Sequence, residues 1–318
     1  MPTQETSGRS SVAIGIFFAV MAGFCWGTFG IARALGPDNA TSISASGFRL
    51  LIAAVGLIIW AYSSGAFREA GPVKKWPFPS MILSGIGLGG FTYLYLESMY
   101  RAGVSIGAPV SCASIPIFSM ILEMIIYKKK PSGGQFFGMI VAIVGMTLAT
   151  YAPDEQIETG RRLSGVMYAL ASGLVFSAYS LSIQSSTTRF PRLMVQSCVF
   201  SAGAVMMLTW AILKTDISWI ATPQGLASAA WLGLVSGVLG YWLYIRSMSH
   251  IPVSIATTLS MVEPLTGTIL GIIILKESTD SLKMIGLLIL FIGIFLVGRA
   301  STKRKDAAIE IAPAASPS

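Results

Sequence analysis

The sequence is short of charge. Asp, Glu, Lys and Arg make up 11% of its 318 residues, where a soluble domain carries about 25%. A soluble chain of this length keeps such residues at its surface, so the shortage excludes an ordinary soluble enzyme. Histidine is reduced to His250. The three cysteines, Cys25, Cys112 and Cys198, lie inside apolar runs and form no C-x-x-C pair, which argues against a disulfide scaffold or a zinc site. No P-loop motif is present and no long polar segment could house a nucleotide, so no cofactor is expected. The net charge of +8 is not gathered in one stripe: the basic residues mostly separate apolar runs. That pattern fits membrane sidedness and argues against a nucleic-acid partner.

What the sequence has is hydrophobic length, with 53% of its residues in the apolar set. A helix crossing about 30 Å of hydrocarbon needs about 20 mainly apolar residues. Ten segments approach that length: 13–34, 42–62, 80–100, 104–127, 135–151, 163–184, 193–213, 226–246, 252–275 and 282–299. With the N-terminus inside, fourteen of the 22 Lys and Arg residues fall in inner loops and seven in outer ones, with Arg49 left inside a span. Positive residues collect on the cytoplasmic side. The expectation is therefore a multi-pass protein of the cell membrane, embedded in lipid, with both termini cytoplasmic. Residues 1–12 form a short N-terminal segment and 300–318 a disordered tail.

The chain also repeats itself. Tyr93-Leu94-Tyr95-Leu96-Glu97-Ser98-Met99 returns 149 residues later as Trp242-Leu243-Tyr244-Ile245-Arg246-Ser247-Met248, and Val104-Ser105-Ile106 as Val253-Ser254-Ile255. At an offset of 150, Ala19, Gly23, Trp26 and Phe29 meet Ala169, Gly173, Phe176 and Tyr179; with one gap, Pro116, Gly138 and Gly145 meet Pro264, Gly286 and Gly293. This predicts two five-helix units, 13–151 and 163–299. Because five is odd, the second enters the membrane from the opposite side, so the fold class is all-α with ten transmembrane helices in two inverted repeats. Inverted repeats suit alternating access around a site between them near the midplane.

Trp26-Gly27-Thr28 in the first span, Gly47-Phe48-Arg49-Leu50 in the second, and Val262-Glu263-Pro264-Leu265 leading to Leu275-Lys276-Glu277 in the ninth carry a family resemblance. Over residues 12–299 the chain resembles the EamA-type branch of the drug/metabolite transporter superfamily. It departs where the fourth span ends in Tyr127-Lys128-Lys129-Lys130, since the family often has a Gly-Glu or Lys-Glu pair there. The resemblance implies a secondary transporter rather than an enzyme, an exporter of small solutes such as amino acids, related metabolites or drugs.

Charges within spans are the sharpest candidates. Glu263 sits mid-span, where a carboxylate must be paired, protonated or facing a cavity. Pro264 removes a backbone donor and frees a carbonyl one turn earlier. Ser260, Glu263, Gly267 and Gly271 share a helical face. Glu263 is thus a candidate for cargo binding and proton coupling, or else a kink anchor. Arg49 cannot shed its charge and needs a carboxylate: Glu263, Glu97 or the cargo. Glu97 and Arg101 should pair one turn apart, and Glu123 should pair with Lys128 or its neighbours. The aromatics Trp26, Tyr93, Tyr179, Tyr241 and Trp242 recur at matching repeat positions and complete the candidate cargo site with Arg49, Ser260 and Glu263. Gly23, Gly27 and Gly30 read as close-packing positions. The run Gly103-Val104-Ser105-Ile106-Gly107 fits a nucleophile pattern, but His250 is expected at the other face, leaving Ser105 without a base.

Overall fold

Backbone polar groups in hydrocarbon must satisfy one another, so long apolar runs become helices. The computed structural model describes residues 3–102, 104–128, 131–149, 159–274 and 281–311. Among these there is no strand. The helices are α1 (Thr3–Ala34), α2 (Ser42–Ser63), the short α3 (Ala66–Glu69), α4 (Phe78–Ala102), α5 (Val104–Tyr127), α6 (Gly133–Ala149), α7 (Thr159–Thr187), α8 (Arg192–Lys214), α9 (Pro223–Trp231), α10 (Gly240–Ser247), α11 (Val253–Leu259), α12 (Val262–Ile274) and α13 (Ser281–Ile311). Within the described residues, six helical stretches are long and apolar enough to cross a membrane: Ser11–Phe29, Ile43–Ser63, Val110–Tyr127, Leu163–Thr187, Arg192–Lys214 and Pro223–Ser247. Gly133–Leu148 and Met284–Ala300 are shorter apolar helices. Thr41 caps α2, its Oγ1 accepting from the Ser44 N–H at 3.2 Å, and Thr222 caps α9 in the same way from Gly225 at 3.0 Å.

The molecule is apolar outside and hydroxyl-rich inside. Phe17, Ile59, Leu83, Phe137, Val205, Leu213 and Phe295 are exposed, whereas Ser111, Ser114, Ser119, Ser172, Ser177 and Ser180 are buried between helices. Lipid offers no hydrophobic force to drive helices together, so small residues and hydroxyls do the packing instead. This is the surface of a multi-pass membrane protein.

Three boundaries differ from the sequence expectation. α13 continues past Arg299 to Ile311, because Lys303-Arg304-Lys305-Asp306-Ala307-Ala308 is a run of mostly good helix formers. The span expected at 226–246 is interrupted by a π-helix over Leu232–Leu239. The span expected at 252–275 breaks between α11 and α12. The family-like Lys276 and Glu277, the lysines Lys129 and Lys130, and the side chain of Ser105 lie outside the described residues.

The repeats are visible in the packing. The sequence offset equates α1 with α7, α2 with α8, α4 with α9–α10, α5 with α11–α12, and α6 with α13. α4 packs on α7 as α10 packs on α1, and α5 packs on α7 as α12 packs on α1. The π-helical segment lies on α2 as α4 lies on α8. α2 meets α8, α5 meets α11, and α6 meets α13, each pair made of equivalents. Such reciprocal pairing is what a two-fold relation between two copies produces. It also defines two mixed units, α4–α5–α7 and α10–α11–α12 with α1, each drawing helices from both repeats.

Glycines set the depth of these seams. A Cβ on Gly23 would fall 2.5 Å from the Ser260 carbonyl oxygen, and one on Gly27 would fall 2.7 Å from that of Glu263. α1 is therefore seated against the α11–α12 break itself. Gly27→Val is expected to lower the thermal midpoint in detergent by several degrees, since overpacking costs about 1–3 kcal/mol. A circular-dichroism melt checks this, and an unchanged midpoint would mean that the seam gives way freely.

Candidate functional site

The break beside Pro264 is closed by backbone bonds. The Glu263 N–H donates to the Ser260 carbonyl at 2.9 Å and the Met261 N–H to that of Thr258 at 3.2 Å. The carbonyl freed by the proline is thus reclaimed one residue early, and the tightened turn presents the Glu263 side chain to an interior space. That space is a cavity between the two mixed units. Trp26 and Phe29 of α1, Arg49 of α2, Phe91 and Tyr95 of α4, Phe176 of α7 and Tyr241 of α10 wall it, with Ser46, Cys112, Ser260 and Glu263 among the smaller groups.

Arg49 dominates its electrostatics. The guanidinium carbon lies 5.1 Å from the ring centre of Phe29 and 5.7 Å from that of Tyr241, a cation-π seat that holds the charge without neutralising it. Among the described residues its Nε has no hydrogen-bond partner, and neither has the Ser46 hydroxyl one turn away. Glu263 is near enough to act on Arg49 through the field. No ion pair within 4.0 Å joins them. The Ser260 and Thr257 hydroxyls are spent on carbonyls of their own segment, each at 2.9 Å. What the cavity presents is therefore a cation and a carboxylate, held apart between aromatic faces.

Trp26 fixes the aromatic wall to the π-helix. Its Nε1–H donates to the Ser236 carbonyl at 3.0 Å, one of the backbone acceptors a π-turn leaves open, and π-turns of this kind recur at functional sites. Its ring centre lies 4.9 Å from that of Tyr241 and 5.1 Å from that of Tyr244. Trp26→Phe should keep the wall and lose the anchor. A rise in apparent KM of about tenfold, the worth of one buried hydrogen bond, is the result expected from transport kinetics.

Of the residues singled out in the sequence, Trp26, Arg49, Tyr241, Ser260 and Glu263 line the cavity together. Tyr179 stands behind the wall, buried, with ring contacts to Phe176 and Tyr241 at 5.7 and 6.3 Å. Tyr93 and Trp242 are placed elsewhere. Tyr93 faces Trp210 at 4.5 Å, and Trp242 lies against Trp60 at 5.5 Å. Helical phase explains this: two residues along a helix is a turn of about 200°, so Tyr95 faces the cavity and Tyr93 faces away. Phe91, Tyr95, Ser46 and Cys112 follow from the same phase once one cavity residue per helix is known. Glu97 and Arg101 pair as expected at 2.6 Å. His250 bonds to Ser11 at 2.9 Å.

One end of the cavity is shut. Its lining includes Phe29 near the end of α1, Arg49 near the start of α2 and Tyr95 toward the end of α4, so it extends from mid-bundle toward the α1–α2 connection. At the opposite end, where α10 passes to α11, the units are bonded together. The Glu123 carboxylate accepts from the Ser254 hydroxyl and from the Ser254 N–H, the latter at 3.3 Å. The Tyr244 hydroxyl donates to Ser180 at 2.9 Å and the Gln184 amide to the Met248 carbonyl at 3.1 Å.

Comparison with known proteins agrees with this architecture. The sequence pattern of the EamA-like transporter family matches residues 13–151 and 163–299. The chain is 29% identical to the uncharacterized transporter YwfM of Bacillus subtilis, over 91% of this chain and 95% of that one. It is 23% identical to a protein of Streptantibioticus cattleyicolor described as a "Probable terminal-alkyne amino-acid exporter", over 91% and 95% of the two chains. To the threonine/homoserine exporter RhtA of Salmonella typhimurium it is 23% identical, over 65% and 66%. A crystal structure superposes with a TM-score of 0.76 at 18% identity, covering 93% of this chain and 98% of the other.

Proposed function

The chain belongs to the EamA-like transporter family, and from that premise we propose that it exports small amino-acid-like metabolites by alternating access, coupled to protons through Glu263. In this reading ten crossings, arranged as inverted repeats over 13–151 and 163–299, leave both termini in the cytoplasm of a plasma membrane. The observation that carries the proposal is the separation of Arg49 and Glu263 across one aromatic cavity. A zwitterion supplies what each group lacks: its carboxylate meets the guanidinium fork, and its ammonium meets Glu263 and the aromatic faces. Two relatives named as amino-acid exporters support the class of cargo. Trp26, Tyr241 and Tyr95 then contact the side chain or ammonium of the cargo, favouring flat or apolar side chains.

Counterflow in proteoliposomes tests this. Vesicles loaded with unlabelled amino acids, one at a time, should drive uptake of a labelled one, and an outside-acid pH gradient should accelerate export. Counterflow by lipophilic cations alone would instead make the cavity a drug-efflux site and overturn the zwitterion. Counterflow indifferent to the pH gradient would leave an uncoupled exchanger.

A further inference from the structure

The two ends of the path are not closed by the same chemistry. The four bonds at the α10–α11 end join three residue pairs across the mixed units: Glu123 of α5 to Ser254 of α11, Ser180 of α7 to Tyr244 of α10, and Gln184 of α7 to the Met248 carbonyl. The Glu123–Ser254 and Tyr244–Ser180 bonds are buried, that of Gln184 is partly so, and Glu123 is 8% exposed. Where solvent is excluded, such bonds are not traded for equal bonds to water, so separating the units costs their full value. In an inverted repeat, closure of the opposite end should bring together the equivalent positions of the other copy.

Those equivalents are read from the repeat offsets. Tyr244 corresponds to Tyr95, Ser254 to Ser105 and Met248 to Met99, so the α10–α11 side of each bond is duplicated. The other side is not. Glu123 corresponds to Gly271, Ser180 to Gly30 and Gln184 to Ala34. Each side chain on the α5–α7 side of these bonds has a counterpart whose side chain carries no hydrogen-bonding group. Resting on the transport reading and topology above, we infer that Glu123, Ser180 and Gln184 are gating residues forming a one-sided polar latch. It holds the cytoplasmic end shut and makes the empty transporter rest facing outward.

The device has a consequence for transport. An outward-facing resting state must be left before cytoplasmic cargo can enter, so opening this latch precedes loading. Glu123, Ser180 and Gln184 lie outside the cavity lining, so they act on the equilibrium between the two states and not on contact with cargo.

Cys112 in the cavity wall provides the readout. In a chain carrying Cys25→Ala and Cys198→Ala, the rate of Cys112 modification by a membrane-impermeant, charged thiol reagent is measured separately from the outer and cytoplasmic faces of oriented vesicles. The parent is expected to react faster from outside. Glu123→Ala with Ser180→Ala should shift the outer-to-inner rate ratio toward the cytoplasmic face by about tenfold or more, as for loss of a hydrogen bond to a charged acceptor. Glu123→Gln retains one acceptor oxygen and should shift it less. Ser180→Ala alone removes a single oxygen and repeats the test where the fold is least disturbed. An unchanged ratio in these variants, or Glu123→Gln matching Glu123→Ala, overturns the latch. Cys112 inert from both faces in parent and variants alike would overturn the transport cavity itself, a distinct failure.

Discussion

Arg49→Gln is expected to abolish measurable export at subsaturating cargo, a loss of at least a hundredfold in kcat/KM. Removing one partner of a buried, hydrogen-bonded charge pair costs about 2–5 kcal/mol, much of it from leaving the other charge unpaired. In the proposed reading the stranded partner is the cargo carboxylate, carried into a cavity of aromatic walls. Arg49→Lys should recover only part of the loss. The guanidinium is planar and can lie between Phe29 and Tyr241 while still offering a fork to a carboxylate, whereas an ammonium is a hydrated point charge without that geometry. Transport kinetics separate this from a structural role. If Arg49 served only to pack α2 against α1, both variants would lose folded yield and thermal stability, while the surviving protein would transport with normal KM. That result would remove Arg49 from the site. Combining Arg49→Gln with Glu263→Gln sharpens the test. Two groups that grip opposite ends of one molecule should be strongly non-additive.

The parts of this arrangement that were legible in the sequence are those where one residue type contradicts its surroundings. Glu263 before Pro264 in an apolar run announces a broken, polar helix, and the structure places a break and a cavity there. Gly23 and Gly27 announce a close seam, and they abut the Ser260 and Glu263 carbonyls. The repeat offsets led to the exchanged helix pairs. Rotational phase was not legible in the same way. Tyr93 and Tyr95 both recur in the second repeat, and only neighbours in space decide which one meets the cavity. The π-helix was also hidden, since Leu232–Leu239 reads as ordinary apolar helix until Trp26 supplies a donor for the Ser236 carbonyl. Glu123 bonds to Ser254, 131 residues away in the other repeat, a contact that local spacing does not announce.

Glu263→Gln should separate binding from coupling. The helix break needs nothing from the carboxylate, because Ser260, Met261 and Glu263 are held by backbone bonds of 2.9, 3.2 and 2.9 Å. The isosteric amide should therefore fold and melt as the parent does. Its chemistry differs in two respects. It has no charge to hold an ammonium and no proton to exchange. In the proposed cycle the ionised carboxylate receives the cargo ammonium from the cytoplasm, and a proton arriving from the outer side neutralises it and releases the cargo. Release should then quicken as outer pH falls, and an outside-acid gradient should drive export uphill. In Glu263→Gln the side chain is fixed in a neutral form. Net export should drop by about two orders of magnitude, on the same scale as loss of a buried charge contact, and what remains should be flat with outer pH and downhill only. Proteoliposomes with independently set inner and outer pH measure both. A variant that still exports uphill and still answers to outer pH would place the proton elsewhere and leave Glu263 as part of the cavity wall. A variant that exchanges cargo at near-parental rates but cannot be driven by pH would confine Glu263 to coupling and assign the ammonium to the aromatic faces of Trp26, Tyr95 and Tyr241.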